Sequence, residues 1–131
     1  MIRTKIISHG NTMTTRKHNT SIVFVFLDFL NTVKLYHWNT HSYAEHKATD
    51  ELYDSLNKNI DKFVEVMLGD KRLPNIKKKI TLATTTREVF VKRVNAFKQF
   101  LLKLKMSPEL MNLRDDLLVD IDQFIYLLSQ H

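Results

Sequence analysis

An all-α fold, four helices packed as one bundle, is what this sequence predicts, and three observations carry the prediction. Only two glycines and two prolines occur in 131 residues, too few breakers for the many tight turns of an all-β fold. Apolar residues recur at three- and four-residue intervals in four separate stretches, the period of a helix with one buried stripe. Hydrophobic residues make up 44% of the chain, enough for one sizeable core at this length.

Taken in order, residues 1–19 lack a sustained period and any acidic residue, while Arg3, Lys5, Arg16 and Lys17 sit among Ser, Thr, Asn and Gly. They read as a flexible basic tail, and residues 20–131 as the bundle. The first helix, α1, should start near Thr20 or Ser21, either of which can cap it, and run to about Trp38. Phe26, Leu30, Val33 and His37 form its stripe, and Val23, Leu27 and Leu35 broaden it. The second, α2, should span Ser42 to Leu68 with Gly69 as its stop. Leu52, Leu56, Ile60, Phe63 and Met67 face its core, and Glu51, Ser55, Lys58 and Lys62 face solvent. Residues 70–84, with Pro74 and three consecutive lysines from Lys77, are too many for a tight turn and read as a longer crossover. Helix α3 should run from Thr86 to Met106. Ser107-Pro108-Glu109 then restarts the chain as α4, a cap followed by proline at the first helical position, and α4 ends near Ser129. Two helix pairs joined by one long connection is the pattern of ferritin-like bundles.

Several classes are excluded. Without cysteine there is no disulfide framework, thiolate zinc site or cysteine nucleophile. The most apolar run, Ile22 to Leu30, is broken by Asp28, so no membrane span is expected, and no apolar leader follows Arg3 and Lys5. A net charge of +6 favours anionic partners. Nucleic acid is a candidate, through the basic tail or through α3, where Arg87, Lys92, Arg93, Lys98, Lys103 and Lys105 crowd around the single acid Glu88.

The chemistry lies on α2. At about 100° per residue, and with His46 as zero, Asp50 falls at about 40°, Asp61 at about 60°, Asp54 at about 80° and Glu65 at about 100°. A charged row on a helix is ordinarily a solvated face. This one, however, holds a histidine four residues before an aspartate, a separation at which both can reach one ion. The same spacing recurs at Asp61 and Glu65. Asp50 and Asp61 are about 16 Å apart along the axis, so one copy of α2 cannot close a site. Two copies packed antiparallel can: the pairings His46 with Glu65 and Asp50 with Asp61 share one centre, between residues 55 and 56. That dyad gives a homodimer with two identical sites built from both chains. Oxygen-rich ligation with imidazole suits iron or manganese, and zinc is also compatible. His37, at the end of α1 and close to where His46 begins, is the fifth ligand candidate. His41 reads as a loop residue, and Trp38 and Tyr43 as packing groups beside the site.

At these residues the sequence resembles the Dps branch of the ferritin-like superfamily, the miniferritins. The shared features are His37-Trp38-Asn39 at the end of the first helix, His46 and Asp50 early in the second, and Asp61 and Glu65 later on it. The likeness is specific over residues 31–65 and generic beyond; the interval from His37 to His46 is shorter than the family's. The resemblance implies a ferroxidase that binds Fe(II) between subunits, with His37, His46 and Asp50 from one and Asp61 and Glu65 from its neighbour. Hydrogen peroxide or oxygen would oxidise the iron, and ferric mineral would collect inside a hollow dodecamer, protecting against peroxide damage. It also implies a cytoplasmic or nucleoid-associated protein. A likeness to compact miniferritin-like proteins of large DNA viruses and phages makes the virion a further expectation. The competing expectation is a DNA-binding or structural packaging protein, possessing the bundle without enzymatic activity.

Overall fold

The computed structural model describes the backbone of residues 2–130 and the side chains of residues 17–130. Four helices form it: α1 (Ile2–Asn39), α2 (Tyr43–Leu68), α3 (Arg87–Lys103) and α4 (Pro108–Ser129), with no strand among the described residues. The all-α expectation holds, and three of the four helices start within one residue of their expected positions.

Each of those three starts has a local cause. The hydroxyls of Ser42, Thr86 and Ser107 accept from the backbone N–H of Glu45, Val89 and Leu110 respectively, satisfying donors that a helix start leaves unpaired. Pro108 occupies the first turn of α4, where its missing N–H costs nothing. The stop of α2 is Gly69, at φ 62° and ψ −121°, a conformation that a side chain strains. A Cβ at Gly69 would meet nothing within 4 Å, so Gly69→Ala isolates that backbone cost. It should lower stability by about 1–3 kcal/mol, read as a shift in the urea midpoint.

Helix α1 departs from the expectation. It begins at Ile2 rather than near Thr20 or Ser21, and the Ser21 hydroxyl donates to the Lys17 carbonyl one turn back instead of capping a start. The side chains of the expected basic tail, Arg3, Lys5 and Arg16 among them, lie outside the described residues, and Lys17 is exposed. At its other end α3 stops at Lys103, short of Met106, because Leu104 turns extended while keeping its side chain buried.

Helix α1 packs on α2 and α3, and α4 packs on the same two. Aromatic pairs fix the direction. Tyr36 stacks on Phe90 at 3.9 Å and Phe29 on Phe97 at 4.0 Å, so α1 and α3 run antiparallel. Asn59 of α2 donates to Asp120 of α4 near the middle of both helices. The guanidinium of Arg87, at the start of α3, reaches Glu45 near the start of α2 and the Leu128 carbonyl near the end of α4. Helices α2 and α3 are therefore parallel, and residues 69–86 must run back along the bundle between them, with no helix in that stretch. Phe26, fully buried, sits edge-on to Phe63 at 5.3 Å and joins α1 to α2.

Candidate metal centre

The connection between α1 and α2 is only three residues, Thr40 to Ser42, so the last turn of one helix lies beside the first turn of the other. This short link places His37 against His46, their rings stacked with centroids 3.9 Å apart and planes 17° apart. The backbone then locks both rings. Nδ1 of His37 lies 2.8 Å from the His46 carbonyl, and Nδ1 of His46 lies 2.8 Å from the His37 carbonyl. Thr49 Oγ1 stands 3.0 Å from His37 Nδ1 and donates to the Glu45 carbonyl at 2.7 Å.

A carbonyl only accepts, so Nδ1 carries the proton in each neutral ring and Nε2 keeps its lone pair. Histidine ligands of metal ions are commonly oriented this way by a backbone carbonyl. Asp50 stands beside His37, its Oδ1 3.9 Å from His37 Nε2. Two ligands that each approach one ion at about 2.0–2.2 Å span a distance of that order. His37 is buried, whereas His46 and Asp50 are exposed, so the donors open toward solvent on the outer side of the α1–α2 pair.

Asp61 and Glu65 are exposed, further along α2, and the structure does not bring them to His46 and Asp50 within one chain. Among the described residues no three His, Asp or Glu side chains are grouped closely enough to hold an ion. The carboxylates of Asp54, Asp61 and Glu65 have no hydrogen bond or ion pair among the described residues. Trp38 and Tyr43, expected as packing groups, are 68% and 79% exposed. The physical reason is their position: both flank the short link between α1 and α2, where this chain leaves them largely uncovered. Lys34 Nζ lies 5.6 Å from the Trp38 ring. His41 is an exposed loop residue, as expected.

Behind the histidines lies a second cluster that the sequence reading missed. Glu45 is buried, accepts from the Tyr36 hydroxyl at 2.5 Å and from Arg87 Nε at 2.7 Å, and so ties α1, α2 and α3 together. The Ser42-x-x-Glu45 spacing of a capping box was legible, but the Glu45 carboxylate serves this cluster. Thr40 Oγ1 accepts from the Ser42 N–H in its place. Burial, then the hydrogen bond to Glu45, pushes the Tyr36 hydroxyl up to about 12 from an ordinary 10.0. The Glu45 hydrogen bond raises Arg87 as well. A raised phenol favours the fold below pH 10 and loses that contribution as pH climbs through 12. The expected extra loss is up to about 3 kcal/mol, visible in thermal unfolding as a steeper alkaline decline than Tyr36→Phe shows.

Residues 37–128 match DUF5856, described as a family of unknown function. The match covers more than two thirds of the chain, opens at His37 and contains all five ligand candidates. The chain belongs to this family. No curated protein and no solved structure matches the chain. Within the DUF5856 region lie the stacked histidines, Asp50, Glu45 and Arg87 of the second cluster, and most of the core, whereas Tyr36 lies just before it. No helix among the described residues is long and apolar enough to cross a membrane.

Proposed function

We propose that this DUF5856 protein is a Dps-like ferroxidase that binds Fe(II) at a site shared by two subunits and stores the ferric product. The single observation that carries the reading is the locked histidine pair, with both Nδ1 atoms on backbone carbonyls and His37 Nε2 facing Asp50. The connectivity agrees, since one long crossover between parallel helices is the ferritin-like arrangement.

In this reading His37, His46 and Asp50 of one subunit bind Fe(II), and Asp61 and Glu65 of a second subunit close the site about a two-fold axis. Two imidazoles and three carboxylates of this kind suit iron, with manganese and zinc as competitors. With hydrogen peroxide, two Fe(II) ions give up one electron each, the O–O bond breaks, and two protons complete two waters. The chain's role is to hold the ions, with Asp50, Asp61 and Glu65 neutralising the added charge.

Anaerobic Fe(II) titration followed by peroxide tests this. Saturable binding and a rise in ferric absorbance are expected, with both reduced at least about tenfold in Asp50→Ala with Glu65→Ala. Titration without saturation, or with the double variant unchanged, sinks the proposal.

A further inference from the structure

Helix α2 carries a second polar edge. With His46 as zero, its ligand candidates lie between 0° and about 100°, whereas Ala48, Glu51, Leu52 and Ser55 lie between about 140° and about 240°. This second stripe faces α4, and the two helices enclose a cavity of about 280 Å³. Ala48 and Ser55 are too short to fill the space between the helices, while Leu52 and Phe124, both buried, give the cavity an apolar floor. One turn beyond Ser55, Asn59 donates to Asp120 Oδ2 at 2.7 Å and holds that carboxylate in place.

Glu51 of α2 and Asp120 of α4 supply the carboxylates of this cavity, and no lysine, arginine or histidine lines it. Neither carboxylate forms an ion pair among the described residues. The Ser55 hydroxyl, the Gln123 amide and Asp120 Oδ1 make no hydrogen bond among them either. Burial raises the Asp120 carboxyl above its ordinary value against the lowering hydrogen bond from Asn59, and Asp116 adds to the rise. A cation beside Asp120 would relieve that cost. The surroundings favour one, because α2 and α4 hold eleven of the fourteen acids and only four of the twenty lysines and arginines.

We infer that the cavity between α2 and α4 binds a linear aliphatic diamine, with one ammonium at Glu51, the other at Asp120, and the methylene chain on Leu52 and Phe124. The two carboxylates stand apart along the cavity. Glu51 precedes Asn59, the partner of Asp120, by eight residues, about 12 Å of helix axis. A four-carbon diamine with a charge-assisted hydrogen bond at each end spans roughly 12 Å from oxygen to oxygen. The Ser55 hydroxyl and the Gln123 carbonyl are further acceptors for the ammonium protons. A hydrated metal ion would leave the apolar floor unused and fill a small part of the space. The volume lies near the lower end of small-molecule sites, which suits a short ligand.

Calorimetric titration of the full-length protein with putrescine (1,4-diaminobutane) tests the inference. Saturable binding of one putrescine per chain is expected, with butylamine, which has a single ammonium, at least about tenfold weaker. Glu51→Gln and Asp120→Asn should each weaken putrescine by about tenfold or more. Ser55→Leu, which fills the cavity and removes no charge, should abolish the binding. Thermal midpoints show whether each variant is folded. Should Asp120→Asn lose its fold, Glu51→Gln and Ser55→Leu, at exposed positions, decide the matter. Asp50→Ala with Glu65→Ala should bind putrescine like wild type, and Glu51→Gln should leave the Fe(II) titration unaltered, so this inference and the metal proposal fail separately. Absence of saturable binding overturns the inference, as does butylamine binding as tightly as putrescine. It is equally overturned if Ser55→Leu binds like wild type, or if Mg(II) at equal concentration displaces putrescine, the mark of a general cation surface.

Discussion

Arg87→Ala is expected to destabilise the bundle by about 2–4 kcal/mol and to cost more than Glu45→Ala, although both break the same ion pair. The asymmetry follows from burial. The Glu45 side chain is 5% exposed and that of Arg87 44%. Removing the arginine takes the Arg87 guanidinium away from a carboxylate deep in the protein, the expensive way to break a buried pair. The estimate sits toward the lower end for such pairs because water can enter where the half-exposed guanidinium stood. Removing Glu45 instead leaves a guanidinium that solvent can reach and a Tyr36 hydroxyl short of one acceptor, a loss of about 1–3 kcal/mol. Urea denaturation followed by circular dichroism gives both values. A larger cost for Glu45→Ala would contradict the burial argument.

If the proposed shared ferroxidase site is right, mixing two inactive variants should restore activity to about a quarter of the wild-type sites. One variant carries His46→Ala and Asp50→Ala, the other Asp61→Ala and Glu65→Ala. Each homodimer lacks half of every site. In a mixed dimer one site is doubly defective, but the other takes His46 and Asp50 from one chain and Asp61 and Glu65 from its partner. Random exchange makes about half of the dimers mixed, with one intact site of two in each. The measurement is peroxide-dependent Fe(II) oxidation after co-refolding. Activity that never rises above the separate variants would place all four residues in a site within one chain, or in none. The distance along α2 already weighs against the former, because about 16 Å separates Asp50 from Asp61.

How much could be read in advance differs sharply between elements. Ser42, Thr86, Ser107, Pro108 and Gly69 announce helix ends because their effect is local: a hydroxyl two or three residues from the N–H it caps, or a backbone that only glycine adopts easily. The start of α1 misled for the same reason in reverse. Thr20 and Ser21 are good capping residues, but a serine hydroxyl can equally bond back to the carbonyl four residues earlier, as Ser21 does. The Glu45 cluster was not legible, since Tyr36, Glu45 and Arg87 meet only once three helices have packed.

By itself the sequence determined that the chain folds as four helices with one long crossover, and that one face of α2 gathers His46, Asp50, Asp54, Asp61 and Glu65. Both depend on helical periodicity and local capping, which neighbours in sequence dictate. Only the tertiary structure decided that His37 and His46 stack, that each fixes the other's tautomer through a backbone carbonyl, and that Asp50 stands beside them. That outcome depends on how a three-residue link rotates α2 against α1, a geometry set by the packing of Phe26, Val33, Leu52 and Leu56 in the shared core.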